Sequence, residues 1–134
     1  MFLSNVIWSN LGLPSSLVKA MSLVGLSLFF VSVGIDHFIN PQFYVSIMPP
    51  YVPAHLELVY ISGGFEIIGG LCVISNRLRR CAGCGLLLLL LAVYPANIHM
   101  AMHPELFTEF SAGFLYFRLV LQFFFLYWVY WVCF

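Results

Sequence analysis

The chain has 134 residues, 63% of them hydrophobic and 7% charged, with five basic and five acidic side chains and no net charge. A soluble domain carries roughly 25% charged residues, so the composition excludes that class and points to a lipid bilayer as solvent. No acidic or basic tail is present to recruit nucleic acid.

A chain of this length has room for about four helical spans of roughly 20 residues each. The first is expected over about 17–38, after Pro14-Ser15-Ser16, residues suited to a helix start. It ends in Asp36-His37-Phe38 and shows no small-residue cleavage pattern, so it reads as a span and not as a signal peptide. Residues 40–55 then carry Pro41, Pro49, Pro50 and Pro53 and are expected to be irregular. Within them, Ile47 to Pro53 is too short to span and too apolar for a free loop, which suggests a cap over one end of the bundle.

The second span is expected over 56–75, ending at Asn76-Arg77-Leu78-Arg79-Arg80, and the third over 81–103, ending at Pro104. Pro95 should free the carbonyl of Leu91 and kink the third span beside Asn97. The fourth is expected over 111–133, with Trp128, Tyr130 and Trp131 suited to a membrane interface. The expected fold is thus all-α, a four-helix transmembrane bundle with a Pro-rich extracytoplasmic loop between helices 1 and 2. Arg77, Arg79, Arg80 and Lys19 place the second hairpin and both termini in the cytoplasm.

Two opposite charges lie inside apolar runs: Glu66 and Arg118. An ionisable residue at such a position is costly unless it faces the bundle interior, and by default it marks a site. With 1.5 Å rise per residue, Glu66 lies about 13 Å, Arg118 about 10 Å and Asn97 about 9 Å from the outer ends of their spans. Gln122 stands one turn below Arg118, and Asp36 and His37 close the outer end of the first span. Matching depth and opposite sign predict a Glu66–Arg118 pair, with Asn97 and Gln122 satisfying its remaining groups. Such a centre serves either as a ligand or proton-handling pocket or as a buried ion pair that fixes helix register. Ser62, Gly63, Gly69 and Gly70 form a small-residue stripe around Glu66 that would let helices approach closely.

Two other constellations are weaker. Cys81-Ala82-Gly83-Cys84 follows a cluster of arginines at a helix start, an environment that favours thiolate, but the topology puts it in a reducing compartment. His99 and His103 share one helix face near Met100 and Met102, a soft ligand set for Cu(I) that lacks enough members to be assigned as a metal site. Small packing residues and interfacial histidines are the bland readings of each.

Several segments together resemble a known family: Gly34-Ile35-Asp36-His37-Phe38, Ile47-Met48-Pro49-Pro50-Tyr51-Val52-Pro53, and Leu58 through Glu66. Ala92-Val93-Tyr94-Pro95-Ala96-Asn97-Ile98 and Arg118-Leu119-Val120-Leu121-Gln122 continue the pattern. In order and spacing they are similar to the DoxX-like family of small four-helix membrane proteins. Val120 departs from the Pro or Leu usual there, and the cysteines of the Cys-Ala-Gly-Cys segment from small apolar residues. The resemblance implies that the family's polar positions fall on His37, Glu66, Asn97, Arg118 and Gln122. It implies a membrane protein of one of two kinds. One is a redox-associated subunit that contacts quinone. The other is a non-enzymatic membrane chaperone or assembly factor acting on a partner protein. Catalysis and homo-oligomerisation are left open by both.

Overall fold

The computed structural model describes residues 16–134. Within these residues five α-helices follow one another: α1 (Leu17–Ile39), α2 (Pro41–Ile47), α3 (His55–Cys72), α4 (Arg79–Met102) and α5 (Ala112–Cys133), with a 3-10 turn at Pro104–Leu106 before α5. The long ones begin and end within a few residues of the expected spans. Ser16 caps α1 by accepting from the Lys19 amide at 3.5 Å, and Ser111 caps α5 by accepting from Phe114 at 3.1 Å. Pro14 and Ser15 lie outside the described residues.

The Pro-rich segment differs from expectation. Its first half is helical, because Pro41 sits at the first helical position, where its missing N–H is no loss and its fixed φ suits the turn. Irregular chain is confined to residues 48–54, which end on Ala54 in the left-handed region at φ 52°. Pro95, by contrast, lies inside α4 without ending it.

Among the described residues, three helices are long and apolar enough to cross a membrane: α1, α4 and α5. The helix α3 is not among them, since Glu57, Glu66 and its glycines lower its hydropathy. It nevertheless packs along α1 more extensively than any other pair of elements, followed by α4 with α5 and α3 with α4. Glycine makes the α1–α3 approach possible. A Cβ on Gly34 would stand 2.6 Å from the Gly63 carbonyl oxygen, and one on Gly63 would stand 2.7 Å from His37 Cβ. Of the small-residue stripe expected around Glu66, Gly63 and Gly70 face α1, while Gly69 faces Leu86 of α4.

The interior has three layers. Toward the 73–78 connection (the hairpin end), Leu23, Leu26, Phe30, Val73, Leu86, Leu90, Val129 and Val132 form one apolar cluster. Toward the other end (the cap end), Ile47, Met100, Ala101, Phe107 and Leu115 form a second. Ile47 brings α2 into that second cluster; of the segment Ile47 to Pro53 expected as the cap, Ile47 and Pro49 are buried while Pro50, Tyr51 and Pro53 are exposed. Buried polar residues, among them His37, Glu66, Asn97 and Gln122, occupy the level between.

Candidate functional site

The polar layer divides into two groups, and the division overturns the expected pairing. Glu66 is buried, and the group that meets it is His37 of α1, whose Nδ1 lies 3.1 Å from Oε2. The same Nδ1 lies 2.8 Å from the Val33 carbonyl oxygen. A carbonyl only accepts, so Nδ1 carries the proton and directs it along its own helix. Glu66 Oε2 is therefore in electrostatic contact with the ring but has no hydrogen-bond partner, the one such buried side-chain atom among the described residues. A buried acceptor of this kind costs about 1–3 kcal/mol or more until a donor reaches it.

Arg118 does not reach Glu66. Among the described residues the two ion pairs within 4.0 Å are His37–Glu66 and His103–Glu105, and neither includes an arginine. The half-buried guanidinium instead donates from Nη1 to the thioether of Met100 at 3.2 Å, a weak acceptor. Equal depth and opposite sign were the basis for expecting a pair. They fix height along the bundle but not azimuth around it, and α3 turns Glu66 toward α1 while α5 turns Arg118 toward α4.

Asn97 and Gln122 also have partners other than those expected. Asn97 Nδ2 donates to Gln122 Oε1 at 3.2 Å, and Gln122 Nε2 donates to the Leu90 carbonyl at 2.6 Å. They tie α5 to α4 and leave the two charges unserved. The carbonyl taken is that of Leu90, one residue before the Leu91 carbonyl that Pro95 deprives of its usual donor.

Tyr44, on the cap helix α2, was not singled out in the sequence and is central here. Its ring stacks on His37 at 3.8 Å between centroids and 18° between planes. Its hydroxyl donates to Asp36 Oδ2 at 2.6 Å, while Asn40 Nδ2 donates to Asp36 Oδ1 at 2.7 Å. Desolvation, then the Asp36 carboxylate, push the Tyr44 phenol well above the usual range, and Glu66 and Arg118 both act on it electrostatically. Tyr44 is thus within electrostatic reach of both the carboxylate and the guanidinium. The only sequence signal for it is Pro41 opening a helical turn three residues earlier.

The weaker constellations resolve separately. His99 and His103 have ring centroids 4.8 Å apart, and His103 Nδ1 lies 3.2 Å from Glu105 Oε1, a carboxylate the sequence did not place there. Among the described residues no three His, Cys, Asp or Glu side chains gather to hold a metal. Cys81 and Cys84 are exposed, free and at the hairpin end.

Residues 26–133 match the family described as Domain of unknown function (DUF8561). The chain belongs to this family. Every polar residue of the site lies within the matched DUF8561 region, from Asp36 to Gln122. No curated protein and no solved structure matches the chain.

Proposed function

We propose that this DUF8561 protein is an integral membrane protein in which α1, α3, α4 and α5 all cross the bilayer. In this reading it is a four-helix bundle of DoxX-like type, with the 73–78 hairpin and both termini cytoplasmic. Three apolar helices support the membrane assignment. The extensive packing of α3 along α1 supports its inclusion: it buries Glu66 and Gly63 against α1 and needs no uniformly apolar surface. Exposed Arg77 and Arg80 support the orientation.

The polar layer beneath the cap-end cluster is the site, and it binds the head of a quinone-type carrier, as a redox-associated subunit would. The observation carrying this reading is a pair of unmet needs in one layer. Glu66 Oε2 lacks a donor, and Arg118 lacks any carboxylate within 4.0 Å among the described residues. A quinone carbonyl accepts from a guanidinium, and the hydroxyl of its reduced form donates to a carboxylate. The stacked rings of Tyr44 and His37 set an aromatic pair beside Glu66. The thin contact between α2 and the helices beneath it would let the cap admit the ligand.

Native mass spectrometry of the protein in mild detergent, with a short-chain ubiquinone added, tests this. One quinone per chain is expected, lost in Arg118→Leu; its reduced form, added under reducing conditions, should be lost in Glu66→Leu as well. Absence of bound quinone, together with a stoichiometric co-purifying protein, would replace this reading with that of an assembly factor.

A further inference from the structure

A second concavity lies away from the polar layer. It is a groove of about 480 Å³ between α3 and α4, lined on both sides by apolar residues, including Ile68, Cys72, Leu78, Cys81, Gly85 and Leu89. Along α4 it extends from Leu78 to Ala92. That is about 20 Å of helical rise, about a third more than the roughly 15 Å of hydrocarbon in one leaflet. Glycine keeps it open. A Cβ on Gly69 would press on Leu86 Cδ2 at 2.7 Å, whereas one on Gly85 would meet nothing within 4 Å.

Charge gathers at one mouth of this groove. Leu78 and Cys81, which line it, are chain neighbours of Arg77 and Arg80, both exposed. Arg79 between them is buried, its guanidinium donating to Val73 and Ile74 carbonyls, so the hairpin presents the other two outward. No acidic residue lies between Ile67 and Met102 to offset them. An apolar groove about one leaflet deep, whose hairpin end lies one residue from two exposed arginines, suits a phospholipid: acyl chain below, phosphate above.

We propose that this groove is a binding site for an anionic phospholipid, one acyl chain lying between α3 and α4 and the phosphate held by Arg77 and Arg80. The site shares no residue with the Glu66 cluster, so either can fail alone.

The test is native mass spectrometry of the detergent-purified chain, titrated with phosphatidylglycerol or with phosphatidylcholine of identical acyl chains. Phosphatidylglycerol should be retained roughly tenfold better. Arg77→Gln with Arg80→Gln should erase the difference, and Gly85→Leu, which fills the groove where there is open space, should reduce retention of both lipids. Circular dichroism of Gly85→Leu should match the unaltered protein. Equal retention of the two lipids by the unaltered protein would overturn the site, as would undiminished retention in a folded Gly85→Leu. If that variant does not fold, the arginine variant decides alone, and a surviving preference for phosphatidylglycerol overturns the proposal.

Discussion

Arg79 and Arg118 are both removed from open solvent, at opposite ends of the molecule, and are used in opposite ways. Arg79 donates from Nε to the Val73 carbonyl at 2.9 Å, from Nη2 to Ile74 at 3.1 Å and from Nη1 to Asn76 Oδ1 at 3.5 Å. Those carbonyls follow the last turn of α3, so Arg79 closes the end of one helix while beginning the next. Arg118 makes no comparable set of bonds and rests on a thioether. A planar fork whose donors meet backbone carbonyls is a structural fastener. One set within an apolar helix and matched to a weak acceptor is not a fastener of that kind.

The sharpest way to break this contrast is to remove each arginine in turn and follow thermal unfolding in detergent. Arg79→Leu strands buried acceptors and should cost about 3 kcal/mol or more. Arg118→Leu removes a charge with little compensation in the ligand-free protein and should cost under about 1 kcal/mol, or stabilise it. Equal losses would mean that Arg118 is also a fastener and would remove the main support for a ligand at the cap end.

A smaller effect sharpens the account of how the cap-end site is assembled. Gly34→Ala would drive a methyl group into the Gly63 backbone, separating α1 from α3 and with them His37 from Glu66. A loss of about 1–3 kcal/mol is expected. Gly64→Ala, where an added Cβ meets nothing within 4 Å, should be neutral or stabilising by up to about 1 kcal/mol through helix propensity. Unfolding midpoints of the two variants that moved together would show that the α1–α3 approach is not so close.

The smallest effect concerns Tyr44. Its phenol is raised in the folded protein, so its contribution is fully present below the unfolded value near pH 10 and is lost as the pH climbs above it. Thermal stability of the unaltered protein should therefore fall more steeply above pH 10 than that of Tyr44→Phe. Parallel curves would mean that the hydroxyl is not held by Asp36.

How much of this was legible in the sequence follows from what each signal encodes. The four long helices were visible because runs of apolar residues with Pro, Ser and Arg between them encode length and ends directly. Of the five polar residues singled out, His37, Glu66, Asn97 and Gln122 are buried and Arg118 is half-buried. Their partners were not visible. Which residue Glu66 faces depends on rotation of α3 about its axis, and that is set by Gly34 and Gly63 meeting face to face, a contact between residues nearly thirty positions apart. Glycines announce that a close approach exists and say nothing of where the other helix lies. Tyr44 escaped notice for a related reason. In a segment crowded with prolines, Pro41 acts as a helix start and not as a breaker, and only the folded chain reveals that it lays an aromatic ring on His37. Arg79 was grouped with its basic neighbours by composition, although its side chain is buried.

The central claim is that the carboxylate of the polar layer meets a histidine and stays apart from the guanidinium. It is tested most directly by double-mutant cycles on unfolding free energy, measured in detergent on the ligand-free protein. The variants are Glu66→Gln combined either with His37→Phe, which keeps the ring against Tyr44, or with Arg118→Gln. The account predicts that Glu66 and His37 are coupled by about 0.5–3 kcal/mol, while Glu66 and Arg118 add within about 0.5 kcal/mol. Strong coupling of Glu66 to Arg118, with none to His37, would contradict it and restore the ion pair that charge and depth alone suggest.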